Sequence, residues 1–203
     1  MKKTLKHTSH LDIGCNSNPR NPFNTSKLYG VDIIDLETNE FNYHKCNVIF
    51  DALPFPDSSF ESVSAYDFLE HVPRTATIDN TGVFPFIHVM NEIYRVLKPG
   101  GIFYAITPGY PRNEAFVDPT HVNFITKKTH TYFTSPKYKA RMYGFKGKFK
   151  IIRKVKWIKL TQETRNDIWL IKTLKNIFYT IYFIKKSHLI WEFQAIKDDV
   201  IHD

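Results

Sequence analysis

A chain of 203 residues with 42% apolar and 15% aromatic content can bury a full core, which excludes a disordered or collagen-like polymer. Its two cysteines, Cys15 and Cys46, exclude a disulfide framework and a Cys-rich metal site, and no uncharged apolar run approaches the span of a bilayer. The net charge of +8 is unevenly spread: residues 1–126 hold 10 Lys+Arg against 14 Asp+Glu, whereas residues 127–203 hold 18 against 6. Twelve basic residues and no acid lie from Lys127 to Lys159, a pattern that suits an anionic small molecule, nucleic acid or membrane surface, or simply a solvated face. The opening "MKKTLKH" is basic but lacks the apolar stretch of a signal peptide, so a reduced, cytoplasmic protein is the expectation.

Short apolar runs separated by Asp, Asn, Pro and Gly predict strands at His10–Ile13, Leu28–Ile33, Tyr43–Val48, Glu61–Tyr66 and Ile102–Ile106. Between Gly14 and Leu28, Pro19, Pro22 and several Asn break any apolar helical period, so the first crossover is expected to be a loop and its helix missing. Ile87, Met90, Ile93, Tyr94 and Leu97 recur at helical spacing, and Pro99-Gly100-Gly101 is expected to stop that helix. Strands alternating with crossovers make the fold α/β, with a mostly parallel sheet.

After Thr126 the pattern changes. "KFKIIRKVKWIKL" alternates apolar and basic residues as an edge strand would, and "LIWEFQAIK" reads as a last strand. An apolar helix lies between them, over about residues 168–184, for packing, dimerisation or contact with a membrane surface. The expected organisation is one domain over 1–203: a cofactor-binding core in 1–126 and a basic part in 127–203.

"LDIGCNSNPR" has the form of a ligand loop leaving a parallel strand. Gly14 permits a positive φ, and Asn16 is the next best residue for a left-handed conformation. Eighteen residues on, "YGVDI" places Asp32 where a carboxylate can accept from both hydroxyls of a ribose. Loop and acid together point to an adenosine cofactor.

The run "LDIGC…YGVDI…LPFPDSSFESVSAYDFLEHV…EIYRVLKPGG", over residues 10–106, resembles the class I S-adenosylmethionine-dependent methyltransferases. "AFVDPTHVNFITKKTHTYF" looks like a subgroup found with surface-polysaccharide genes. The resemblance implies a Rossmann-like, seven-stranded sheet with an antiparallel C-terminal hairpin. It also implies an S-adenosylmethionine site in which Asp12, Gly14, Cys15, Asn16 and Arg20 meet the methionine part. Asp32 and Ile33 would then meet the ribose, Asn47 and Val48 or Asp51 the adenine, with Asp67 nearby.

For the chemistry, "DFLEHV" offers Asp67, Glu70 and His71, whose i, i+3, i+4 spacing turns all three to one side of a helical turn. "DPTHVNF" adds Asp118 and His121. His121 or His71 can act as a metal-free general base. Alternatively Asp67, Glu70, His71 and His121 form an oxygen and nitrogen shell suited to Mg²⁺, Mn²⁺, Fe²⁺ or Zn²⁺. That set resembles the metal ligands of plant small-RNA 2′-O-methyltransferases and ubiquinone-pathway O-methyltransferases, with Asp67 in place of a Glu. The equally simple reading of Glu70 and His71 is a helix cap or salt bridge. His7, His10, His44, His88, His130, His188 and His202 are expected to be structural or superficial.

The function expected is therefore an S-adenosylmethionine-dependent O-methyltransferase acting on a sugar or phosphorylated glycan precursor. Two alternatives stand beside it: a metal-assisted RNA 2′-O-methyltransferase, and a non-catalytic methyltransferase-like module that binds a partner or a membrane through its basic side.

Overall fold

The computed structural model describes residues 8–159, 169–181 and 186–197. Seven strands form one sheet: β1 (Ser9–Ile13), β2 (Lys27–Asp32), β3 (Asn42–Lys45), β4 (Phe60–Tyr66), β7 (Leu97–Pro108), β8 (Phe149–Ile158) and β9 (His188–Ala195). Their order is β3-β2-β1-β4-β7-β9-β8. The first five run parallel, while β9 is antiparallel to both β7 and β8. This is the Rossmann-like sheet with a C-terminal antiparallel hairpin expected from sequence. As also expected, no helix follows β1 among the described residues, because Pro19 and Pro22 fall in the connection.

The strand order reverses between β1 and β4, the switch point at whose carboxyl ends α/β sheets form a ligand crevice. Helix α1 (Pro85–Val96) starts at a proline and buries Phe86, Val89, Met90, Ile93 and Val96 at helical spacing. It ends earlier than Pro99-Gly100-Gly101 suggests. Leu97 is already extended, and β7 runs straight through the Pro-Gly-Gly segment. Gly101 is needed in that strand, since a Cβ there would stand 2.9 Å from the Lys98 carbonyl oxygen.

A small hairpin, β5 (Ala76–Ile78) and β6 (Thr81–Val83), was not expected. Asp79 and Asn80 turn it with φ of 47° and 60°, the left-handed pair that tight hairpins use. Helix α2 (Trp169–Ile181) lies within the β8–β9 connection; the rest of the expected 168–184 helix lies outside the described residues. Among the described residues no helix is long and apolar enough to cross a membrane.

Two sequence motifs are joined by one side chain. The Arg95 guanidinium donates to the carbonyls of Phe55 and Leu53 at 2.7 and 2.9 Å and to Asp57 at 3.0 Å. Glu92 accepts from Arg95 at 2.7 Å and from the Leu53 N–H at 2.7 Å. "LPFPDSSF" is thus fastened to the helix that leads into "RVLKPGG". Both motifs build the scaffold under the site.

Candidate active site

Two loops leave the crevice, one from β1 and one from β4. In the first, Gly14 has φ +71°, and a Cβ on it would meet the Phe68 ring at 2.8 Å, so glycine is required on both counts. Asn16 takes the left-handed conformation at φ 49°, as expected of a residue standing in for a glycine. Its backbone N–H donates to Asp32 Oδ2 at 2.9 Å, while Ile33 N–H donates to Oδ1 at 2.7 Å. Asp32 is thereby locked in place, and each carboxylate oxygen keeps a lone pair for a further donor.

The other N–H groups of this loop are already engaged. Those of Gly14 and Cys15 both go to the Val31 carbonyl, at 2.9 and 3.2 Å, and that of Ser17 goes to Asn16 Oδ1 at 2.7 Å. The loop therefore offers a ligand close backbone approach, not a nest of donors. Cys15 is buried, and its thiol is pushed up to about 12 by burial and by the charges of Asp12 and Asp32, so it stays protonated.

Beneath the loop, Asp12 is fully enclosed. Arg20 N–H donates to its Oδ2 at 2.7 Å and Ser64 Oγ to its Oδ1 at 2.5 Å. His10 stands behind, with Ser62 Oγ and Ser64 Oγ each 2.8 Å from its ring nitrogens. Burial raises the Asp12 carboxyl to about 7 despite these donors. The Arg20 guanidinium lies over the Tyr66 ring, 5.3 Å from its centroid, at the exposed surface of the loop.

The turn after β3, farther along this edge, is more open. Ile33 and Phe50 are exposed apolar surfaces on the same sheet edge. Asn47 and Asp51 are exposed on the turn after β3, and Val48 is buried beneath them. An acid fixed for two hydroxyls beside apolar surfaces for a flat ring fits an adenosine group.

The second loop carries the candidate chemistry. Asp67 leaves β4 with φ +46°, a strained conformation for a non-glycine residue. Its Oδ1 lies 3.2 Å from His188 Nε2, off the line of a hydrogen bond. Glu70 and His71 follow on a 3₁₀ turn, Leu69–His71. Glu70 is buried and accepts from Thr107 Oγ1 at 3.0 Å through Oε2. Its Oε1 is buried without a hydrogen-bond partner among the described residues, 4.0 Å from His121 Nε2. Burial, with the nearby charges of Asp67 and Asp118, raises the Glu70 carboxyl to about 8.

His121 is brought here by backbone stitching. The N–H groups of Val122 and Asn123 both donate to the Glu70 carbonyl at 2.9 Å, and Asn123 Nδ2 donates to the Leu69 carbonyl at 3.2 Å. Arg74 holds Asn123 Oδ1 at 2.8 Å and the Phe124 carbonyl at 2.5 Å. The His71 and His121 rings meet edge to face, with centroids 4.8 Å apart. His121 Nδ1 is buried without a partner among the described residues.

Three of the four residues proposed as metal ligands thus come together. Ligand atoms of Glu70, His71 and His121 all lie within 4.8 Å of one another. Asp67 is not in that group. His188, expected to be structural or superficial, reaches Asp67 from the start of β9. Thr107 and Thr120 belong to the site as partners of Glu70 and His71, and Ser64 as the partner of Asp12. Thr120 could have been noticed beside His121 in "DPTHVNF"; nothing in the sequence singles out Thr107, Ser64 or His188.

Comparison with known proteins agrees with this geometry. Residues 11–105 match the methyltransferase domain family. The Gibberella zeae sterol 24-C-methyltransferase ERG6B is 31% identical over 110 residues, which are 46% of this chain and 26% of that protein. The chain therefore spans about a quarter of that relative's length. Among solved structures, a chain of the complex between the Haloferax volcanii Trm112 methyltransferase activator and its methyltransferase gives a TM-score of 0.56 at 15% identity, covering 94% of this chain and 83% of that one. The [4+2]-cyclase SpnF gives 0.54 at 14% identity, covering 94% and 75%. Those likenesses establish the fold, which hosts more than one chemistry. With the matched domain, the strand order and the glycine loop on the page, residues 11–105 are similar to the class I S-adenosylmethionine-dependent methyltransferases in both sequence and fold.

Proposed function

We propose that this chain transfers a methyl group from S-adenosylmethionine to a hydroxyl, on a sugar or phosphorylated glycan precursor. The observation that carries this reading is the pairing, on one sheet edge, of an Asp32 carboxylate fixed by the Asn16 N–H with a Glu70–His121 couple held at 4.0 Å. Asp32 and Ile33 hold the ribose, Asn47, Val48 and Asp51 border the adenine, and the Asp12–Arg20 loop borders the methionine part. Bound there, the cofactor supplies an electrophilic methyl group.

The chain's own residues must hold the acceptor oxygen in line and remove its proton. His121 takes that proton, and the Glu70 carboxyl, 4.0 Å from its Nε2, positions the imidazole for it. The basic stretch from Lys127 onward suits an acceptor bearing phosphate. Calorimetric titration with S-adenosylhomocysteine, followed by methyl-label transfer to nucleotide sugars, tests this reading. Failure to bind the product analogue would sink it; binding without transfer to any hydroxyl acceptor would reject the acceptor.

A second reading is favoured by the two buried unpartnered atoms, Glu70 Oε1 and His121 Nδ1. One carboxylate and two imidazoles suit Fe²⁺, Mn²⁺ or Zn²⁺. A cation held by Glu70, His71 and His121 would supply Lewis acidity toward the acceptor hydroxyl. Activity lost in chelator and restored by Mn²⁺ supports this reading, and chelator-resistant activity rejects it.

A further inference from the structure

The β8–β9 connection starts and ends at the edge that bears the site. Ile158 pairs with His188 at the strand ends, and Ser187 N–H donates to the Ile158 carbonyl at 3.1 Å. Gly109 N–H, at the carboxyl end of β7, donates to the Ser187 carbonyl at 3.0 Å. The connection that carries helix α2 therefore leaves and re-enters the sheet at the same edge as Asp67 and His121.

That helix turns its apolar side outward. Leu170, Leu174 and Ile177 recur at i, i+4, i+7, and they are 55%, 58% and 51% exposed. Trp169 at its start is 77% exposed, whereas Thr173 and Lys175 are only half-exposed. The loop after β7 adds a second apolar group on this edge. The Phe116 and Phe124 rings stack at 4.8 Å, Tyr110 meets Phe116 at 6.0 Å, and Val117 and Val122 beside them are exposed. Exposed Lys127 and Lys128 follow directly. In the half of β8 nearer this edge, Lys154 and Lys156 are also exposed. Glu114 and Asp118 are the acids of the 109–126 segment.

We infer that this edge docks on an anionic bilayer surface, with α2 lying in the interface and the lysines against the headgroups. Aromatic and aliphatic side chains supply the insertion, and basic residues around them supply the attraction. Charge separates this occupant from a second copy of the chain. Residues 127–203 hold 18 Lys+Arg and 6 Asp+Glu, so two such faces would repel, whereas anionic lipid complements them.

The test is co-sedimentation of the full chain with phosphatidylcholine vesicles and with phosphatidylcholine–phosphatidylglycerol vesicles, alongside light scattering and titration with S-adenosylhomocysteine. The chain should bind the anionic vesicles, release at high salt, and shift its Trp emission to the blue. Leu174→Glu and the double variant Lys127→Glu/Lys128→Glu should each weaken partition by about tenfold or more, and Leu174→Glu should leave S-adenosylhomocysteine binding unchanged. Equal binding to both vesicle types would overturn the electrostatic half of the inference. No vesicle binding by the unaltered chain overturns it entirely, and so does a dimer that Leu174→Glu dissolves, which would assign the face to a second copy.

Discussion

The Asn16 backbone N–H reaches Asp32 Oδ2 at 2.9 Å, so the loop after β1 and the acid after β2 form one unit. Asp32→Ala removes both the acceptor for ribose hydroxyls and the anchor of the loop. Its expected cost in S-adenosylhomocysteine affinity is about 1–3 kcal/mol, roughly 5- to 150-fold in Kd. Asn16→Gly should bind nearly as well, because glycine accepts φ 49° freely. Asn16→Val should both destabilise the fold and weaken binding, because a β-branched residue is strained there. Calorimetry on the three variants checks the order; equal affinities throughout would remove this loop from the cofactor site.

Arg95 should matter for stability and not for chemistry. It serves two backbone carbonyls and Asp57, and it neutralises Glu92, which is largely buried. Arg95→Leu leaves that carboxylate without its cation and releases the 53–57 turn. A loss of about 2–4 kcal/mol is expected, read as a lower urea midpoint. Arg95→Leu/Glu92→Leu should recover part of it, since no charge is then left buried. If the double variant is no better than the single one, the pairing is not what holds the turn.

Much of the architecture was legible in the sequence because β1, β2, β4 and β7 contain short apolar runs with polar stops, and β8 alternates basic and apolar residues as an edge strand must. Strand β3, Asn42–Lys45, is polar and ends before the expected Tyr43–Val48 because residues 48–50 turn. The missing first crossover helix was legible from Pro19 and Pro22. The end of α1 was not: Pro99-Gly100-Gly101 reads as a helix stop, yet β7 takes it over, since Leu97 and Phe60 pair across the sheet. The 76–83 hairpin was missed because Asp79-Asn80 is a weaker turn signal than one containing glycine. At the site, the order Glu70, His71, then His121 could be proposed from residue type. What joins them could not, because the Glu70 carbonyl, Asn123 and Arg74 act through backbone contacts that leave no sequence period. His188 lies 121 positions from Asp67 by number, and only the antiparallel return of β9 brings them together.

Asp12 gives the protein a pH signature. Its carboxyl titrates near 7 in the fold, against an ordinary value of 3.8. Between those two values the native state holds a proton that the unfolded chain has released. Stability therefore falls as pH rises from about 4 to about 7, and this contribution is flat above and below. Asp12→Asn mimics the protonated acid: its amide can donate to Ser64 Oγ, which in turn donates to His10, while its oxygen still accepts from Arg20 N–H. The variant should lose part of the slope across that window, as measured by urea midpoints at successive pH values. An unchanged slope would place the titration elsewhere.

The last prediction concerns the proton on His71. Thr120 Oγ1 donates its single hydrogen to Asp118 Oδ1 at 2.6 Å, and its N–H donates to the same oxygen at 2.8 Å. Those two donors hold the Asp118 carboxyl below its ordinary value, so it is an acceptor at neutral pH. Having given its hydrogen away, Thr120 Oγ1 can only accept from His71 Nδ1, 2.9 Å distant. The Nδ1–H tautomer is thereby selected, and Nε2 presents a lone pair to the space beside His121. Thr120→Ser keeps that hydroxyl and should keep turnover near its original level. Thr120→Ala frees the tautomer; kcat should fall by about tenfold or more, with S-adenosylhomocysteine affinity unchanged. The ¹⁵N shifts of the His71 ring supply a readout independent of turnover: Thr120→Ala should move them toward a tautomer mixture, and Thr120→Ser should not. Shifts that stay put in the alanine variant would mean that another group fixes this imidazole.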